Sequence, residues 1–146
     1  MGESIQKLTH IEHVLKRPDS YVGPVDITSE PYWILNKSNN QFQKKNLSYS
    51  PALLKIFDEI LVNAIDRNSV HPKNVTSISA NINKETGAVT IENNGPLGGI
   101  GVRMHEKEGL WNPELTFGHL LTSTNYDDTQ KRIVGGRNGY GAKLTN

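Results

Sequence analysis

The chain has 146 residues, enough for one domain with a core of its own and small for two. Its 16 Lys and Arg against 15 Asp and Glu make no overall electrostatic case for gripping nucleic acid, and with 0 Cys the chain has no disulfides, thiolate chemistry or Cys-ligated metals. No apolar run approaches the ~20 residues of a membrane span, and the polar start MGESIQKLTH lacks a signal peptide's apolar region, so an intracellular protein with no membrane partner is expected.

In chain order, Thr9-His10-Ile11-Glu12 has the form of a capping box and predicts a short helix to about Leu15, stopped by Pro18. Tyr21-Val22-Gly23-Pro24 reads as a strand or extended turn. Residues 31–36 and 41–49 read as two strands joined by the polar turn Lys37-Ser38-Asn39-Asn40, a hairpin. Ser50 then caps a long amphipathic helix to Arg67, with Pro51 in its first turn, where a missing N–H costs nothing. Val75 to Asn83 alternates as a strand with one buried face. Lys84 to Gly87 turns the chain, and Ala88 to Glu92 returns antiparallel. Asn93 to Gly101 (NNGPLGGIG) is a glycine-rich loop, Asn112-Pro113 opens a helix ending near Leu121, and residues 122–132 are polar and read as a loop. A second glycine-rich loop, residues 135–143 (GGRNGYGAK), runs into what reads as a helix beginning at Ala142.

The long helix carries Glu59, Asn63 and Asp66, spaced four and then three residues apart. At about 100° per residue they fall within roughly 60° of each other on the helix surface. Leu53, Leu54, Ile56, Phe57, Ile60, Leu61, Ala64 and Ile65 make up most of the rest of it. A solvated polar stripe would use the same residues, but the flanking apolar residues narrow the stripe and favour a cleft. There a Glu can hold a water and accept its proton, and an Asn oxygen can join a Mg²⁺ shell that keeps several waters.

Glycines in the second loop remove side-chain bulk, which lets backbone N–H groups approach phosphate oxygens, and a following helix start adds a favourable dipole. Arg137 and Lys143 can neutralise phosphate charge; a surface turn is the plain alternative. A Walker P-loop is excluded, because Gly141 is followed by Ala142-Lys143-Leu144, one place late and without the Mg²⁺-binding hydroxyl. In the first loop Asn93 can offer its amide to a nucleobase edge, though alone the segment is only a turn. The five histidines lack HxxxH or HExxH spacing, so histidine metal ligation is not expected.

Taken together, KIFDEILVNAID, the NNG loop, LLTSTNYDD and GGRNGYGAKL resemble the nucleotide-binding half of type IIA DNA topoisomerases of the eukaryotic and large-DNA-virus kind, within the GHKL ATPase superfamily. The resemblance covers nearly all of the chain and weakens around residues 27–47 and 96–112. It implies an α+β fold of the Bergerat type. This would be a two-layer sandwich of a mixed, mostly antiparallel sheet with helices on one face, incomplete at the C-terminus. Residues 1–24 would be an N-terminal arm with the first helix and strand, and residues 25–146 the N-terminal portion of the ATP-binding domain.

By the same resemblance Glu59 matches the general base that activates water, and Asn63 the magnesium ligand that also touches phosphates. Asn93 falls at the adenine-recognising position, Ser123, Thr124 and Asn125 near the ribose and phosphates. Gly136, Arg137, Asn138, Gly139, Tyr140, Gly141, Ala142 and Lys143 match the lid over the triphosphate, and Asp66 supports the pocket. Implied cofactors are ATP and Mg²⁺. Implied partners are double-stranded DNA, acting through the full-length enzyme, and a second copy, bound through the arm and ATPase domain. The implied location is the nucleus for a cellular eukaryotic source and the host cell or virion for a viral one. The resemblance further implies that the later strands, the transducer with its γ-phosphate lysine and the DNA-cleaving centre lie outside this chain. Two departures stand out: the family's NNGKGIP is here the longer NNGPLGGIG, and Arg67 stands where related enzymes often have Asn. The alternatives are a nucleotide-binding dimerisation module without turnover, or another GHKL ATPase of the chaperone or mismatch-repair type.

Overall fold

The computed structural model describes residues 4–124, 126, 127, 129, 134, 135 and 138–146. It contains, in order, α1 (His10–Lys16), α2 (Asp19–Val22), β1 (Thr28–Asn36), β2 (Gln41–Tyr49), α3 (Pro51–Val70), β3 (Ile78–Ile82), β4 (Val89–Asn93), α4 (Asn112–Gly118) and α5 (Gly141–Thr145). Two compact units emerge, Met1–Lys55 and Ile56–Asn146, and the division falls inside α3. The fold is α+β, and its described strands form two separate two-stranded antiparallel sheets.

In the first unit the capping box of α1 is complete. Thr9 Oγ1 accepts from the Glu12 N–H at 3.3 Å, while the Thr9 N–H donates to Glu12 Oε2 at 2.7 Å. Those bonds from Thr9, backbone first, hold the Glu12 carboxyl below its ordinary range. Residues 21–24, expected to be extended, instead begin with the last two residues of α2. The Tyr21 hydroxyl meets His13 Nδ1 at 2.7 Å with the two rings edge to face, and this staples the short turn to α1. Gly23, at φ 81, then releases the chain.

The β1–β2 hairpin has the expected turn and a longer first strand, in register from Thr28 opposite Tyr49 to Asn36 opposite Gln41. Asn36 Oδ1 accepts from the Ser38 N–H and hydroxyl, and Asn39 Oδ1 from the Gln41 N–H, which fixes the loop locally. Pro31 is tolerated because a two-stranded ribbon has edges on both sides.

Helix α3 opens as predicted, with Ser50 Oγ accepting from the Leu53 N–H at 3.3 Å. It runs three residues past Arg67, to Val70, and closes when the His71 N–H reaches the Arg67 carbonyl. The expected apolar surface is covered unevenly. Ala52 and Ala64 are buried, whereas Leu53, Leu54 and Ile65 are exposed, because the helix is apolar over most of its circumference and packs on only part of it.

In the second unit β3 pairs with β4 from Ile78 opposite Asn93 to Ile82 opposite Val89. The strand expected from Val75 starts three residues later, because the N–H groups of Thr76 and Ser77 are taken by the Asn94 side chain rather than by a strand. Val75 itself is fully buried. Helix α4 ends at Gly118 rather than near Leu121. The chain turns extended at His119, Leu121 takes φ 62, and the Thr122 hydroxyl donates to the carbonyls of Leu115 and His119.

Candidate functional site

The polar side of α3 receives the second glycine loop. Asp66 Oδ2 accepts from the Gly135 N–H at 3.0 Å across 69 residues of sequence. A Cβ added to Gly135 would come 3.6 Å from both that oxygen and Val62 Cγ1. About two helical turns earlier on α3, Gly141 presses its backbone against Glu59 so closely that a Cβ there would overlap the carboxylate Oε2. Glu59 and Asp66 are half-buried and Asn63 is exposed. The helix that carries the triad is therefore backed at both ends by glycine backbone, an approach that a side chain at residue 141 would block.

The loop is also tied to the LLTST segment. Gly139 sits at φ 66, and a Cβ on it would lie 2.6 Å from Tyr126 Oη and 2.9 Å from the Thr122 carbonyl oxygen. Lys143 Nζ donates to that same carbonyl at 2.7 Å. Thus Thr122 closes α4 with its hydroxyl and receives the loop with its carbonyl, immediately before Ser123 and Thr124. Thr145 at the end of α5 donates to the Ile56 carbonyl at 2.9 Å and returns the chain to α3. Tyr140 precedes α5, Ala142 is buried within it, and Asn138 is exposed.

Two ionisable groups feel this packing. Burial pushes the Asp66 carboxyl above its ordinary value, and the Gly135 N–H pulls it back in part. Burial lowers the Lys143 ammonium from the usual lysine value.

The first glycine loop stands on the other flank of α3. Asn93 Nδ2 donates to the Gly98 carbonyl at 2.8 Å, and the Gly98 N–H donates to the Gly95 carbonyl at 3.1 Å. Gly95, at φ 88, backs onto the Asn74 carbonyl with no room for a side chain. Arg67 reaches from α3 to the Leu97 carbonyl with Nε at 3.0 Å and with Nη2.

The structure thus brings Glu59 to Gly141, Asp66 to Gly135, and Lys143 and Gly139 to Thr122, while Asn93 bonds within its own loop. Asn125, Gly136 and Arg137, expected near the ribose and in the lid, lie outside the described residues. Sequence reasoning missed Asn94 and Thr122. Asn94 follows a strand as any turn asparagine would, and nothing local marks it as the anchor of residues 76 and 77. Among the described residues no three His, Asp or Glu side chains gather as a metal cluster. No described helix is long and apolar enough to cross a membrane.

No protein-family model matches the chain. DNA topoisomerase 2 of Penicillium chrysogenum is 49% identical over 146 residues, which is 100% of this chain and 9% of that protein. The crystal structure of the ATPase region of Saccharomyces cerevisiae topoisomerase II superposes with a TM-score of 0.90 at 46% identity, over 97% of this chain and 36% of that one. Across its whole length this chain is homologous to the ATPase region of type II DNA topoisomerases. The ATPase and transducer domains of DNA topoisomerase II from Balamuthia mandrillaris agree equally well, at a TM-score of 0.90 and 49% identity over 97% of this chain and 35% of that one. The chain spans about a tenth of the length of the curated topoisomerases it matches. The expected α+β fold is therefore that of part of a topoisomerase II ATPase region.

Proposed function

We propose that the chain is the nucleotide-binding part of a type II DNA topoisomerase, which binds ATP·Mg²⁺ and, in the intact protein, hydrolyses it to drive passage of one DNA duplex through another. The observation that carries this reading is the seating of Gly141 against Glu59, with Asp66 holding Gly135 beside it. A carboxylate can take a proton from water and the backbone N–H groups of a glycine loop can hold phosphate oxygens, so the two together suit attack of water on a terminal phosphate. The donor set also fits magnesium, since Glu59 and Asn63 offer oxygen and no softer ligand stands near them on the helix.

In this reading Asn63 would be the protein ligand of a magnesium ion, which when bound would offset phosphate charge. Glu59 takes the proton from the attacking water as the bond between the terminal phosphorus and its bridging oxygen breaks, giving ADP and phosphate. Asn93 meets the adenine, and Ser123, Thr124 and Asn125 lie by the ribose and phosphates. Residues 136–143 cover the triphosphate, Lys143 among them, with its amine tied through the Thr122 carbonyl. Two copies join through the arm, residues 1–24, and the ATPase domain, and the site of action is DNA, in the nucleus for a cellular eukaryotic source and in the host cell or virion for a viral one.

The test is Glu59→Gln in the intact protein. ATP binding is expected to persist while phosphate release falls about 10²–10⁴-fold. Undiminished hydrolysis would remove Glu59 as the base, and binding without any turnover in the unaltered protein would instead mark a module that only dimerises on nucleotide.

A further inference from the structure

The two departures noted in the sequence, the longer NNGPLGGIG loop and Arg67, meet each other in space. Four bonds box the loop. The Gly98 N–H is held by the Gly95 carbonyl at 3.1 Å, and the Gly98 carbonyl by Asn93 Nδ2 at 2.8 Å. The carbonyl on the preceding residue, Leu97, is held by the fork of Arg67. The peptide joining Leu97 to Gly98 is thereby held at both its carbonyl and its N–H, and Gly98 is buried, with Asn93 Nδ2 only 2.8 Å from where its Cβ would be.

This geometry dictates which end of the Asn93 amide is committed. With one Nδ2 hydrogen spent on Gly98, the amide is held with its nitrogen toward the loop, and Oδ1 is the acceptor it offers a ligand beside the remaining Nδ2 hydrogen. An acceptor complements the exocyclic amine of adenine and opposes the O6 acceptor of guanine. If the loop loosens, Asn93 can rotate by half a turn and present its amine instead, and the preference disappears. We infer that Arg67 is a positioning residue for base selectivity: by gripping the Leu97 carbonyl from α3, it locks the loop that sets the Asn93 amide. This rests on the nucleotide-binding reading above. Arginine suits the task because one planar fork delivers two donors to a single oxygen, whereas lysine supplies a compact charge without the fork.

The experiment measures the dissociation constants of ATP, GTP and inorganic tripolyphosphate for the intact protein and for Arg67→Gln and Arg67→Lys, with thermal melts to confirm folding. The unaltered protein is expected to favour ATP. Arg67→Gln is expected to shrink the ATP-to-GTP ratio roughly tenfold, the worth of about one hydrogen bond, with tripolyphosphate binding unchanged. Arg67→Lys is expected to fall between the two. Equal weakening of ATP and GTP, or an unchanged ratio, would reduce Arg67 to a structural tether and overturn the inference. A protein that binds ATP but shows no base preference from the start would overturn the inference while leaving the proposed function intact. Failure of the unaltered protein to bind either nucleotide would overturn both.

Discussion

Asp66 separates two jobs that helical spacing alone runs together. It stands in line with Glu59 and Asn63, yet its carboxylate is occupied by the Gly135 N–H, so it works as an anchor for backbone. Burial raises its pKa, so the folded state holds the proton more tightly than the unfolded chain. That contribution is fully present below the ordinary value of 3.8 and is lost as pH rises through the raised folded value. Above it the charge works against folding. Asn at 66 keeps an acceptor for Gly135 without the charge. Thermal melts of Asp66→Asn should therefore show a higher Tm than the unaltered protein at pH 7, the gap closing as pH drops toward 3.8. A lower Tm at pH 7 would mean that the charge itself holds the loop.

Among the elements, those stabilised by near neighbours were legible in the sequence. The capping box of α1, the Ser50 cap of α3 and the two hairpin turns all depend on residues within four places of each other. The misread segments depend on distant partners. Residues 75–77 alternate like a strand, but Asn94, 17 and 18 residues on, claims the N–H groups of Ser77 and Thr76 through one side-chain oxygen at 2.9 and 2.8 Å. Likewise α2 is held as a turn by His13, and no strand pattern in residues 21–24 reveals that ring. Asn94→Ala removes both acceptor contacts and the bond from Nδ2 to Thr76 Oγ1. Denaturant unfolding should show it destabilised by about 1–3 kcal/mol. Asn94→Asp, which keeps the acceptor, should recover most of that loss.

At the scale of the whole molecule, the buried apolar residues among those described are Ala52, Ala64, Val75 and Ala142, three of them alanines. Large side chains remain on the surface, Trp33 at 68% and Phe42 at 69% exposure among them. Register places Trp33 and Phe42 on the same face of the first hairpin, flanking Leu35. Contiguous apolar surface of this kind is more than a scatter of single residues. The 146-residue chain should therefore enhance the fluorescence of an apolar dye without denaturant, and the signal should fall with Trp33→Ser. A dye-silent native chain would show this surface to be covered. The family motifs were legible because they are written in short, information-rich stretches. The bonds that join those stretches were not, since Asp66 gives no sign of choosing Gly135, nor Arg67 of choosing Leu97.

The Asp66–Gly135 bond also has a bearing on how the protein is made. Its two ends are 69 residues apart, and at 5–20 residues per second a ribosome needs about 3–14 s to bridge that interval. Throughout it the polar face of α3 stands without the glycine backbone that will later pack against Glu59 and Asp66. In a newborn chain Asp66 accordingly lacks this partner until residue 135 has been made.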